Sequence, residues 1–132
     1  MTSSETELLG RVGTLLEAAR FAFVFGSFET PGFRDESDLD LAVDFGRPLE
    51  SHERFVLASR LAETAGRPVD LVDLRNADPI IAMQVLRTGR PFLVHDPLAL
   101  DVFRMTAPSL YFDWKISRRP VEDAMWTRAR PF

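Results

Sequence analysis

Two aspartates separated by one residue, Asp38 and Asp40, follow ten residues after a Gly-Ser pair, Gly26-Ser27, that closes the apolar run FAFVF. Side chains along a strand repeat every second residue, so these carboxylates project from one face about 7 Å apart. Like charges this close repel unless a cation sits between them. A third acid, Asp70, falls mid-strand in VDLVDL, where a carboxylate is costly without a partner. If that strand pairs beside the one carrying Asp40, the three acids converge. Three carboxylates with no cysteine and only two histidines describe a hard-cation site, of the Mg²⁺ or Mn²⁺ kind. A glycine at the strand end lets a phosphate approach the backbone, and Ser27 adds a hydroxyl and an N–H donor. Phosphate cradle and acidic cluster together are equipment for phosphoryl or nucleotidyl transfer.

The elements that must hold these groups are legible from periodicity. Glu5 to Arg20 carries Leu8, Leu9, Val12, Leu15, Leu16 and Ala19 at helical spacing. Phe21–Phe25 is wholly apolar, as in a strand covered on both faces. DLDLAVDF, from Asp38, alternates strictly, which predicts Leu39, Leu41, Val43 and Phe45 inward and the acids, Asp44 included, outward. Pro48 to Ala65 reads as a helix using Phe55, Leu57, Ala58, Leu61 and Ala62, closed by Gly66. Pro68–Leu74 is a third strand, with Asp73 an ordinary strand-end acid, and Pro91–His95 a fourth. Two Asp-Pro pairs, Asp78-Pro79 and Asp96-Pro97, mark helix starts. The last helical region should be interrupted at Pro108 and Pro120. The order α-β-β-α-β-α-β-α predicts an α/β or α+β layer fold with a small mixed sheet flanked by helices.

Composition narrows the function. The 132 residues suit one domain able to close a core. No run approaches a membrane span and the first residues lack a signal-peptide pattern. The absence of cysteine fits the cytoplasm. Residues 1–103 carry ten arginines against seventeen acids, a balance of −7, whereas residues 104–132 carry six basic groups against three acids. The acidic part argues against direct nucleic-acid binding. The basic tail holds both tryptophans and the only tyrosine. It fits a partner surface or a helix packed on the domain, and the two are compatible.

Gly26-Ser27, ten intervening residues, then Asp38-Leu39-Asp40 resembles the G-S-x(10)-D-x-D signature of the minimal nucleotidyltransferase (MNT) antitoxins, in the polymerase-β-like nucleotidyltransferase superfamily. RPVDLVDL at Arg67–Leu74 resembles the strand that supplies the family's third carboxylate, here Asp70. The likeness spans about residues 8–95. It implies one nucleotidyltransferase domain over residues 1–132, with a catalytic core at 8–95 and a C-terminal helical segment at 96–132. It also implies that Asp38 and Asp40 hold two Mg²⁺ ions and that Asp70 holds the ion activating the nucleophile, acting also as its base. ATP is the implied substrate, AMP the group transferred. The implied acceptor is a tyrosine hydroxyl of a HEPN-family ribonuclease toxin, which this chain silences as an antitoxin in a hetero-oligomer.

One departure stands out. The family reads G-S-x-A-R-G, whereas this chain has Glu29 and Thr30 in place of Ala and Arg. A glutamate there is electrostatically wrong for an anion, and Arg34 is the candidate to restore the charge. The departure favours a second reading, an antitoxin that neutralises its toxin by binding alone, which the intact Asp38, Asp40 and Asp70 oppose. Transfer to a small-molecule acceptor is a third. His52 and His95 read as surface histidines.

Overall fold

The structure, a computed structural model, describes residues 3–26 and 38–129, with side chains through residue 117. Helix α1 spans Ser3–Gly13 and tightens into a 3₁₀ turn at Thr14–Leu16, so the expected helix to Arg20 ends early. Strands β1 (Phe21–Phe25) and β2 (Leu39–Asp44) follow, then α2 (Ser51–Ala65), β3 (Val69–Asp73), α3 (Pro79–Thr88), β4 (Arg90–Val94) and α4 (Pro97–Ala129). Both Asp-Pro starts behave as capping chemistry requires. Asp78 accepts from the Ile81 N–H at 2.9 Å and Asp96 from the Ala99 N–H at 3.1 Å. Helix α2 opens on a capping box between Glu50 and Glu53 and closes on Gly66 in the left-handed region, φ 69°.

The sheet order is β3-β2-β1-β4. β1 pairs antiparallel with β2 and β4, and β2 pairs parallel with β3, which makes the sheet mixed. One face packs Leu39, Leu41 and Val43 against Leu8, Leu9, Val12 and Leu16 from the first helical segment and Leu61 of α2. The other packs Phe21, Phe23, Phe25 and Ala42 beneath Val85 of α3 and Ala99 and Leu100 of α4. Phe21 and Phe23 are fully buried and edge-to-face, 6.0 Å apart, each worth about 1.5–3 kcal/mol of burial.

Three expectations are corrected. The acid-bearing face of β2 does not point outward along its length, because α3 and α4 cover it. Ala42 is inaccessible and Asp44 only 4% exposed. Phe55 is 68% exposed and belongs to no core. Neither Pro108 nor Pro120 interrupts α4, which is continuous over 33 residues. An interior proline costs one backbone hydrogen bond and bends the axis, and the flanking turns still propagate. Among the described residues no helix is long and apolar enough to cross a membrane.

Candidate active site

Gly26 follows the last residue of β1 and adopts φ +71°, a conformation that costs a side-chain-bearing residue about 1 kcal/mol or more. A second reason for glycine is contact. A Cβ there would lie 3.1 Å from Cγ of Asp40 and collide with its carboxylate oxygen. Gly26 and Asp40 are therefore in direct apposition. Ser27 and Arg34, the remaining candidates for holding phosphate, lie outside the described residues, as do Glu29 and Thr30.

Asp40 sits within β2, half-buried, while Asp38 stands one residue before the strand and is exposed. Across the antiparallel ladder Asp40 is in register with Phe25. Across the parallel ladder it is in register with Asp70, and residues so paired project from the same face of a sheet. The third strand does lie beside the second and sets Asp70 opposite Asp40, but Asp38, Asp40 and Asp70 do not close into a cluster able by itself to hold an ion. Asp70 itself is exposed, on a strand at the sheet's edge. A groove of about 380 Å³ opens beside it between α2 and β3, lined in part by Ser51, Arg54 and Phe55.

Asp44 and Asp73 are the acids that sequence reasoning set aside as ordinary, and the fold buries both. Asp44 accepts from Arg20 Nε at 3.0 Å and Nη2 at 3.2 Å, and from the Gly46 N–H at 2.7 Å. That hydrogen bond raises the Arg20 pKa above its ordinary value. Asp73 accepts from the N–H groups of Leu49 (2.8 Å) and Arg75 (3.0 Å). These contacts tie the ends of β2 and β3 to the turns that follow them. The signal available in the sequence was the position of each acid at a strand end before a turn. His95 is exposed and its Nδ1 lies 3.0 Å from the Ala19 carbonyl, and His52 is exposed.

Among the described residues no three His, Asp or Glu side chains stand close enough to hold an ion by themselves. The donors still suit Mg²⁺ in kind. They are all carboxylate oxygens, and Mg²⁺ takes one or two protein carboxylates, with water and substrate phosphates completing its shell.

A family model described as polymerase beta, nucleotidyltransferase matches residues 14–97. The curated protein adenylyltransferase MntA of Shewanella oneidensis is 30% identical over 87 residues, 66% of this chain. The chain spans 63% of the length of that relative. A solved toxin-antitoxin complex with AMP-PNP is similar at 27% identity and a TM-score of 0.78, over 89% of this chain and 98% of that one. The tri-AMPylated Shewanella oneidensis HEPN toxin in complex with MNT antitoxin gives 24% identity and a TM-score of 0.74, over 93% and 96% of the two chains.

Proposed function

The chain belongs to the polymerase beta nucleotidyltransferase family, and from that membership we propose that it is an antitoxin that transfers AMP from ATP, with Mg²⁺, to a tyrosine hydroxyl of a HEPN-family toxin. The observation that carries the reading is the parallel β2–β3 register, with Asp70 opposite Asp40 and Gly26 against the Asp40 carboxylate. Residues 1–132 act as one nucleotidyltransferase domain in the cytoplasm, with the toxin as protein partner. The name of the 30%-identical relative, an adenylyltransferase, and the AMP-PNP complex support the choice of AMP and ATP.

Asp38 and Asp40 would hold two Mg²⁺ ions, with Asp70 as a further ligand of one. Bound there, Mg²⁺ offsets the triphosphate charge and stabilises the charge that develops during transfer. Gly26 admits the phosphates close to the backbone, with Ser27 and Arg34 as their remaining contacts. Asp70 takes the proton of the acceptor hydroxyl. That oxygen bonds to the α-phosphorus, the bond from α-phosphorus to its bridging oxygen breaks, and pyrophosphate leaves. Exposure of Asp70 at the sheet edge suits an acceptor carried on another protein.

Intact-mass spectrometry of the toxin after incubation with this chain, ATP and Mg²⁺ tests the proposal. Increments of one AMP are expected, and they should vanish in Asp38→Ala/Asp40→Ala while that variant still unfolds cooperatively. Retained transfer in the double variant would sink the assignment. Glu29 and Thr30, where the family has Ala and Arg, favour one competing reading, neutralisation by binding alone. An unmodified toxin that co-purifies with the wild-type chain would establish it.

A further inference from the structure

Helix α4 is apolar on two opposite sides. Ala99, Leu100 and Ala107 are buried toward the sheet and α3, with Phe103 against the same core. On the far side Leu98, Met105, Phe112 and Ile116 are 72%, 73%, 54% and 68% exposed, and Val102, 49% exposed, borders them at the rim of the cleft against α3 that Leu110 also lines. Ser109 completes that row and is also exposed. The steps from 98 to 102, 105, 109, 112 and 116 alternate four and three, the repeat of a coiled-coil seam. A helix on the surface of a monomer carries one apolar stripe, and a second calls for a cover. Beyond Ala107 no described side chain of α4 is buried, although the helix continues to Ala129. A helix leaving the body of a protein without support is marginal in water.

We propose that a second copy of this chain covers the stripe, the two α4 helices packing antiparallel about a two-fold axis near residue 107. The seam is self-complementary in that arrangement. Leu98 faces Ile116 of the second copy, Val102 faces Phe112, and Met105 faces Ser109, which sets larger against smaller side chains at the centre. The positions flanking an antiparallel seam then bring Asp101 of one copy against Lys115 of the other, and symmetry makes that pair twice. A parallel pairing would stack each residue on itself and set Asp101 beside Thr106, with no charge partner. Both Asp101 and Lys115 are exposed. Pro108 lies near the axis, so any bend it imposes is shared equally by the two copies. The proposal is independent of AMP transfer, because the seam includes none of the residues assigned to that reaction.

Sedimentation equilibrium of the full chain without toxin tests it. The wild type should be a dimer at micromolar concentration, and Met105→Glu, an exposed substitution, should give a folded monomer by circular dichroism. Asp101→Lys or Lys115→Asp alone should raise the dissociation constant about tenfold, two attractive pairs becoming repulsive. The two together should restore dimerisation, a rescue that mere loss of folding cannot produce. A monomeric wild type, a dimer indifferent to Met105→Glu, or a double exchange no better than the singles would overturn the proposal. A chain monomeric alone, whose capture of the toxin is lost in Met105→Glu, would overturn it by assigning the stripe to the toxin.

Discussion

Replacing Gly26 by alanine separates two demands that meet at one atom. The first is conformational. At φ +71° a Cβ costs about 1 kcal/mol. Gly66 at the end of α2 has nearly the same φ, 69°, with nothing within 4 Å of its would-be Cβ. Gly66→Ala therefore measures the conformational cost alone. At Gly26 the new methyl also meets the Asp40 carboxylate, the end of a side chain that can rotate away. The rotation adds about 0.5–1.5 kcal/mol of off-rotamer strain. The two variants should thus differ in stability by roughly 1 kcal/mol, a few degrees in Tm for a domain of this size. They should differ far more in chemistry if Asp40 holds Mg²⁺ as proposed, because displacing a reacting group's ligand by about 1 Å costs on the order of 100-fold in rate. The assay pairs thermal unfolding with initial rates of AMP transfer below both transitions. Equal rates for Gly26→Ala and Gly66→Ala would refute the coupling of Gly26 to Asp40, whatever their stabilities.

The remaining expectations concern the frame around the site. Asp73→Ala strips the acceptor from two N–H groups, one of them the Leu49 amide on a buried residue, and should cost about 3 kcal/mol in urea unfolding. A loss below about 0.5 kcal/mol, the scatter of an ordinary surface substitution, would contradict the accounting. Arg47 donates to Glu53 and holds its carboxyl at about 2, against an ordinary value of 4.5. A depressed native pKa contributes stability above the ordinary value and loses it as pH falls from there toward about 2. Glu53→Gln keeps the capping geometry without the charge. Its Tm deficit should be open near neutrality and closed by the acid end of that window, and a deficit independent of pH would exclude the ion pair as its source.

Local chemistry was the part of the fold written openly in the chain. Asp78 and Asp96 before proline, Gly66 after α2, and the unbroken Phe-Val run of β1 each depend on neighbours within four residues, and each element stands where its residues predict. Most of what failed depended on distant partners. Strict alternation in β2 identified the face holding Leu39, Leu41 and Val43. It could not reveal that α3 and α4 return to cover Ala42 and Asp44 on the other. Phe55 has the spacing of a core residue, yet no element arrives to bury it. Pro108 and Pro120 predict interruptions, a local signal that fails because a long helix absorbs the loss of single hydrogen bonds. For the proposed site, the types and spacings of Asp38, Asp40, Asp70 and Gly26 stand in the sequence. Only the register of β2 with β3 brought Asp70 opposite Asp40, and register is set by the whole sheet.

That register distributes the carboxylates over strands of unequal tenacity. β2 is interior, with ladders on both sides, whereas β3 has a described neighbour on one side alone. Amide protons of β2 should exchange only through global unfolding, and the outward-facing amides of β3 through small local openings. Asp40 is thus anchored to the most slowly breathing part of the molecule and Asp70 to a margin that yields at little cost. In the proposed reaction this keeps one carboxylate fixed while leaving the other free to adjust to an arriving acceptor.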